Sequence, residues 1–501
     1  MLGKEDIRQI RERGSDPENI KKQLQRFKEG FPYARLKAPA TVGNGISAYD
    51  EKEKEEIAAY FDARKGSYEI CRFVPASGAA TRMFKALYAI RDALEGKSVE
   101  QQQAYLLTDD TAKQFFNDLN QYPFYPDLPV EEHASPMDVL EMLLTEKGLN
   151  YGMLPKGLLK FHAHKGATRT AFEEHLHEAA LIMLPEKIIN IHFTVSEEHI
   201  NGVRGIEREI VPQLQEQYGV TFRISYSFQK KETDTIAVDM DNVPFRDEAG
   251  SLVFRPGGHG ALLGNLEDIE GDLLFINNID NVSPERNSVN RVLHKKVLAG
   301  RLMQVRDRVF ELLEQLATEV TDEVIDSAAQ WLKEVACTVI PGDFSEKSRQ
   351  EKATWLREKL NRPVRVCGMV RNEGEPGGGP FFMEDTNGNT GLQIVESSQV
   401  DTEDAGQKAL FSQASHFNPV DIVCSTRDRH GNNYNLSEYI DEETGFISEK
   451  SVMGKALKAL ELPGLWNGSM AGWFTLFVEI PASTFTPVKT VFDLMRPAHR
   501  E

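Results

Sequence analysis

Four short segments of this chain carry residue types suited to handling phosphates. The run Ala76-Ser77-Gly78-Ala79-Ala80-Thr81-Arg82 follows the apolar stretch 68–75 and precedes a helical pattern with Met83, Leu87 and Ile90 on one face. Small residues let main chain approach a ligand, amides of a turn entering a helix converge on an anion, and Arg82 can pair with a phosphate. A tight strand-to-helix turn without a ligand satisfies the same spacing. The run is neither the Walker A pattern nor the G-x-G-x-x-G fingerprint. Leu154-Pro155-Lys156 sets a lysine behind a proline that fixes the local chain; it can neutralise a phosphate or be an ordinary surface lysine. Phe254-Arg255-Pro256-Gly257-Gly258-His259-Gly260 offers a flat loop for a planar base or sugar, or a turn whose histidine caps the helix at 261–266. Asp280, in Asn277-Asn278-Ile279-Asp280-Asn281, ends an apolar run. A carboxylate at the carboxyl end of a buried parallel strand sits where open sheets bind ligands and suits magnesium; the plainer reading is a turn or cap.

The elements that must position these segments are legible in the hydrophobic pattern. Residues 1–66 read as a mostly helical segment, with Ile7, Ile10, Ile20, Leu24 and Phe27 near helical spacing and a second helix over 50–63. Strands are expected at 68–75, 188–195, 221–228 and 272–280, with helices over 170–184 and 196–218. That alternation predicts an α/β fold with a parallel sheet. Residues 91–150 read as a polar helical insertion. The stretch 288–362 is nearly free of glycine and carries Val292, Val297, Leu302, Val305, Val309 and Leu313 at helical spacing, so a second helical insertion is expected there. Strands return at 364–370, 392–395 and 473–480.

Composition bounds the function. The 501 residues give a prior of two to four compact units at ~150 residues each. Lys and Arg number 58 against 77 Asp and Glu, a net charge of −19, which argues against a protein built to grip nucleic acid. No apolar run approaches the ~18 residues of a membrane span, and the charged opening is neither signal nor anchor. Cys71, Cys337, Cys367 and Cys424 lack metal-ligand spacing and read as reduced thiols of a cytoplasmic protein.

Taken in order, these segments resemble the nucleotide-sugar pyrophosphorylases. Residues 77–83 resemble the G-G-x-G-T-R-[LM] signature, and Leu154–Leu159 the P-K-P-L-L segment. Pro256–Gly260 is similar to the P-G-G-[HN]-G loop of the branch that holds UTP–glucose-1-phosphate uridylyltransferases and UDP-N-acetylhexosamine pyrophosphorylases. Phe275–Asn281 resembles that branch's strand ending in D-N, Leu392–Ser398 its V-V-E-Y-S segment, and Phe485–Leu494 its F-x-P-V-K-x-x-x-D-L segment. The matches span residues 73–494. Ser77 and Ala80 stand where the signature has glycines, Phe84 where glycine is usual, and Ser397 where the tyrosine falls.

The resemblance implies a nucleotide-diphospho-sugar transferase core with a mixed, mainly parallel sheet, divided into 67–287 as the nucleotide-binding half and 363–501 as the sugar-binding half. It implies a nucleotidyltransferase that makes an NDP-sugar and pyrophosphate from an NTP, with UTP favoured, and a sugar 1-phosphate. Arg82, Lys156 and Lys489 would then serve catalysis by neutralising phosphate charge. Ser77, Gly78, Ala79, Ala80 and Thr81 would bind the nucleotide phosphates, and Gln229, Gly257, Gly258 and His259 the base and ribose. Glu396 and Asn418 would contact the sugar, and Asp280 would hold Mg²⁺. The altered signature leaves a non-catalytic nucleotide-sugar binder as the alternative. A metallohydrolase built on His162, His164, His175 and His177 is the rival from another class, but residues two apart on a helix face different ways.

Overall fold

Several helices in this chain start at side chains that take up free amides. Asp50 and Glu53 exchange bonds of 2.8 and 2.9 Å at the head of helix Glu51–Arg64, and Ser348 with Glu351 does the same for Arg349–Leu360. Thr170 caps Ala171–Met183. Gly219, at φ +64°, ends Ile200–Tyr218 in the left-handed conformation that glycine adopts without strain. The computed structural model describes residues 2–78, 80–131, 133–164, 166–375, 377–385, 388–452 and 455–500. Contacts divide the chain into two units, each assembled from separated stretches.

The first unit comprises Met1–Cys71, Gln229–Ile276 and Lys296–Pro481. Its main strands follow the order Thr41–Val42, Gly45–Ser47, Phe474–Glu479, Val364–Arg371, Asp421–Ser425 and Leu273–Asn277. Val364–Arg371 runs parallel to Phe474–Glu479 and antiparallel to Asp421–Ser425, so the sheet is mixed. It is buried at every position but its last, as a strand covered on both faces must be. The expected helices of the second insertion are present as Asp322–Val335 and Arg349–Leu360, preceded by Ser288–Thr318, which starts in the second unit. The opening segment departs from its helical reading. Helices Lys4–Glu12 and Pro17–Glu29 bury Ile10, Ile20 and Phe27 against Ile236, Val238 and Leu460. Beyond Gly30, however, Arg35–Pro39, Thr41–Val42 and Gly45–Ser47 are strands. Single buried residues there, Leu36 and Ile46, leave too short a pattern to show a period of two.

The second unit comprises Arg72–Phe228, Asn277–Lys295 and Ala482–Glu501. Its strands run Ile70–Pro75 (from Arg72 onward), Ile188–Val195, Thr221–Phe228. The last two are parallel, paired from Ile188↔Thr221 to Val195↔Phe228, and joined by helix Ile200–Tyr218. The expected helical insertion supplies Val99–Thr108, Asp110–Asn117 and Pro136–Leu144. A hairpin, Lys160–His164 with Ala167–Thr170, adds two strands the hydrophobic pattern did not announce. The fold is α/β with a mixed, mainly parallel sheet. No helix among the described residues is long and apolar enough to cross a membrane. All four cysteines are free thiols.

Candidate active site

Strand Leu273–Asn277 is buried throughout, and the chain leaves it through Asn278-Ile279-Asp280-Asn281 in the second unit. There two lysines meet one carboxylate oxygen. Lys156 Nζ lies 2.7 Å and Lys489 Nζ 2.9 Å from Asp280 Oδ2. Lys156 follows Pro155 into a single turn of 3₁₀ helix, and its ammonium also donates to the Val488 carbonyl at 2.7 Å. Burial pushes Lys156 below the ordinary lysine range, against the opposing pull of Asp280. Burial alone would raise Asp280, but the two ammoniums hold it below the ordinary aspartate range. Lys489 keeps 56% of its side chain exposed. With both lysines charged, the cluster carries one net positive charge in a partly desolvated place, which favours an incoming anion. Asp280 Oδ1 is buried and accepts no hydrogen bond among the described residues.

The residues around Lys489 explain its arrival here. The Val488 amide donates to the Asp280 carbonyl at 3.0 Å, and Asn281 forms an antiparallel bridge with Pro487. Thr486 gives its amide to Asn281 Oδ1 at 3.0 Å and its hydroxyl to the Val282 carbonyl at 2.8 Å. Asp493 then folds back, and its Oδ2 accepts from the amides of Lys489 at 2.9 Å and Thr490 at 2.6 Å. The Lys-x-x-x-Asp spacing is thus a cap that fixes the backbone beneath Lys489. Asp493, Asn281 and Thr486 carry no role in the sequence reading, although all three stand inside the quoted segments.

The small-residue turn joins the same neighbourhood. The Ala80 amide donates to the Leu154 carbonyl at 3.0 Å, and the Val491 amide donates to the Met83 carbonyl at 3.1 Å. The turn is therefore tied to the Lys156 segment on one side and to the Lys489 segment on the other. These bonds correct one expectation: the Ala80 amide is spent on Leu154 and its methyl is fully buried, so it does not face a phosphate. A 3₁₀ turn over Ala80–Arg82 intervenes before the helix, which starts only at Lys85. Ser77 is half-buried, while Gly78, Thr81 and Arg82 are exposed. Ala79 lies outside the described residues.

The glycine-histidine loop belongs to the first unit. His259 Nδ1 accepts the Leu465 amide at 3.0 Å, and the ring stacks on Trp466 with centroids 4.2 Å apart. Burial pushes the imidazole below its ordinary range, against Glu396 and Glu461. Because Nδ1 accepts the Leu465 amide, the neutral ring carries its proton on Nε2. The loop is glycine-rich because it lies pressed on residues 461–463. Gly258 has φ +78°, and a Cβ on Gly260 would fall 2.0 Å from the Pro463 carbonyl oxygen. Gly260→Ala is expected to cost about 1–3 kcal/mol through forced overpacking. A lowered midpoint in a urea melt checks this; an unchanged midpoint would show that the contact yields freely.

Other expected site residues of the first unit have local partners. Gln229 Nε2 donates to Asp234 Oδ1 at 3.5 Å. Glu396 precedes a 3₁₀ turn at Ser397–Gln399 and carries the charge felt by His259. Asn418 corrects its assignment as a sugar contact. It is buried, its Nδ2 donates to the Gly368 carbonyl at 3.0 Å, and its Oδ1 accepts the Val420 amide at 3.1 Å, where Val420 has φ +61°. Both ends of the side chain hold main chain.

The histidines of the rival reading have separate tasks in the second unit. His162 bonds Glu174 and His499 at 2.8 Å each, His175 bonds the Ile279 carbonyl at 3.2 Å, and His177 bonds the Tyr218 hydroxyl at 2.8 Å. Among the described residues no group of three or more His, Cys, Asp or Glu could together hold a metal ion.

A family model described as "Domain of unknown function (DUF4301)" matches residues 3–500. The chain belongs to that family. No curated protein matches the sequence. Among solved structures, the chain is similar to a variant UDP-glucose pyrophosphorylase from Leishmania major, at 12% identity and a TM-score of 0.45, over 98% of this chain and 77% of that one. A second variant of that protein, solved in complex with UDP-glucose, gives 13% identity, the same coverage and a TM-score of 0.45. A protein of Entamoeba histolytica, named provisionally as a UDP-N-acetylglucosamine pyrophosphorylase, gives 11% identity and a TM-score of 0.42 over 87% of this chain and 79% of that one.

Proposed function

We propose that this chain is a nucleotidyltransferase that joins a nucleoside triphosphate, UTP by resemblance, to a sugar 1-phosphate. The observation that carries the reading is the meeting of Lys156 and Lys489 on Asp280 Oδ2, beside the tied turn that bears Arg82. In the reaction an oxygen of the sugar phosphate attacks the α-phosphorus in line. The bond from the α-phosphorus to the bridging oxygen breaks, and pyrophosphate leaves with the electron pair. Such a transfer needs positioned cations more than a covalent nucleophile.

The roles follow from what each side chain can reach. Lys489, largely exposed, would move from Asp280 to the sugar phosphate. Lys156, buried and held by the Val488 carbonyl, would stay and stabilise charge gathering on the α-phosphate. Arg82, exposed and without an ion pair among the described residues, would hold the leaving pyrophosphate, with Ser77, Gly78 and Thr81 nearby in sequence. Asp280 Oδ1, without a partner among the described residues, is the oxygen that would hold a magnesium ion, a hard cation suited to carboxylate ligands. When bound, that ion would supply charge neutralisation between phosphates. The base contacts (Gln229, Gly257, Gly258, His259) and the sugar contact (Glu396) rest on the resemblance alone.

Pyrophosphate release with Mg²⁺, measured over four nucleoside triphosphates and a panel of sugar 1-phosphates, tests the proposal. Turnover that needs one base and one sugar phosphate is the expected result. Nucleotide binding by calorimetry without any release would overturn it in favour of a non-catalytic nucleotide-sugar binder.

A further inference from the structure

Arg291 lies near the start of the helix Ser288–Thr318 and is only 2% exposed, within the second unit. Its guanidinium reaches three separate segments. Nε donates to Glu178 Oε1 at 2.9 Å. Nη1 donates to Asn281 Oδ1 at 3.3 Å and to the Thr484 carbonyl at 2.5 Å, and Nη2 donates to the Asn281 carbonyl at 2.9 Å. Asn281 is the neighbour of Asp280. Thr484 is the root from which the chain runs to Lys489. Glu178, buried and also bound by Arg72, anchors the guanidinium from behind.

We propose that Arg291 is a positioning residue that fixes Asp280 and Lys489 relative to each other; this rests on the nucleotidyl-transfer reading of that pair. Lys489 can serve a phosphate only if its segment stays registered on residues 280–283. That register depends on the Thr486 and Val488 amides, which bond Asn281 Oδ1 and the Asp280 carbonyl. Arg291 grips both sides of this pairing at its deeper end. A planar fork with five donors can do so, whereas one ammonium reaches fewer acceptors and fixes no plane. Being buried, Arg291 acts through the backbone and not on substrate.

Arg291→Lys keeps a cation beside Glu178 and should fold, but should release the Thr484 and Asn281 carbonyls. Hydrogen exchange at the Thr486 and Val488 amides is expected to quicken about tenfold, the loss of roughly one net hydrogen bond. The KM for sugar 1-phosphate should rise while nucleotide affinity stays as in the wild type. In Arg291→Ala, millimolar guanidinium should slow the exchange again and restore turnover, which a general loss of packing would not allow. Unchanged exchange in folded Arg291→Lys would overturn the clamp. Fast exchange with an unchanged sugar-phosphate KM would overturn the positioning role. If the wild type releases no pyrophosphate, the nucleotidyl-transfer reading fails by itself, and the exchange data still show whether the clamp exists.

Discussion

On the proposed reading, Lys156→Met is expected to lower turnover about a hundredfold to a thousandfold, as when a fixed donor to a charge-bearing transition state is removed, with a thermal melt expected to show a folded protein. Methionine keeps an unbranched, adaptable stem in the space the lysine fills, and Lys489, 2.9 Å from Asp280 in this structure, remains to pair with it. The same lysine predicts a pH profile. Burial lowers its pKa below 10.5, while Asp280 works to hold the proton on. The kcat/KM profile should therefore have an alkaline limb below that value. In Asp280→Asn the restraining carboxylate is gone, and in whatever turnover survives the limb should move to lower pH. A Lys156→Met variant with wild-type turnover would remove Lys156 from the reaction.

The largest loss of stability is expected at Glu178. This buried carboxylate is paired to Arg72 and to Arg291, with Lys295 Nζ at 3.9 Å. Glu178→Gln leaves three buried cations facing a neutral amide, and breaking a buried pair in this way costs about 3–5 kcal/mol. Urea denaturation at pH 7 measures it, and a loss under about 1 kcal/mol would place Glu178 among the ordinary surface pairs. Acid titration gives an independent sign. Burial opposes the charge, yet Arg291, Arg72 and Lys295 hold the carboxyl well below its usual value of 4.5. The folded form thus binds fewer protons than the unfolded form between those two values. Glu178's contribution is complete above pH 4.5 and fades as pH falls through the folded value. Wild-type stability should decline in that acid window more steeply than that of the Glu178→Gln variant.

Much of this was legible in the residues, for identifiable reasons. Long patterned elements such as Ile188–Val195, Thr221–Phe228 and the helices after Ser288 announce themselves by period and length. Lys156, Asp280 and Lys489 were singled out by type, position and resemblance, and they meet at hydrogen-bond distance. Other features were hidden. Asp421–Ser425 is short, and it and Lys455–Glu461 pair with Val364–Arg371 and Thr235–Val238, distant stretches that no local pattern names. Arg291 sits in a helix whose pattern reads only as packing, and nothing local says that its head group reaches Asn281 and Thr484. Ala80 looked available because sequence cannot show that Leu154 takes its amide. Asn418 reads as a sugar ligand from sequence, which cannot show that its two ends also hold the main chain at Gly368 and Val420.

The pairing of residues 280–283 with 484–489 has a kinetic consequence. The Thr486 hydroxyl and the Val282 carbonyl are 204 positions apart, so this register is a long-range contact within the second unit. Contacts of that kind carry a loop-closure cost before they return any stabilisation, and they form slowly. During refolding, the hairpin Lys160–His164/Ala167–Thr170 and the capped helices can form from neighbours in the chain. The two ammoniums can converge on Asp280 only after distant stretches have found each other. Assembly of the Lys156–Asp280–Lys489 cluster should therefore trail the recovery of helical signal, and a chain with native-like helix content can still lack it.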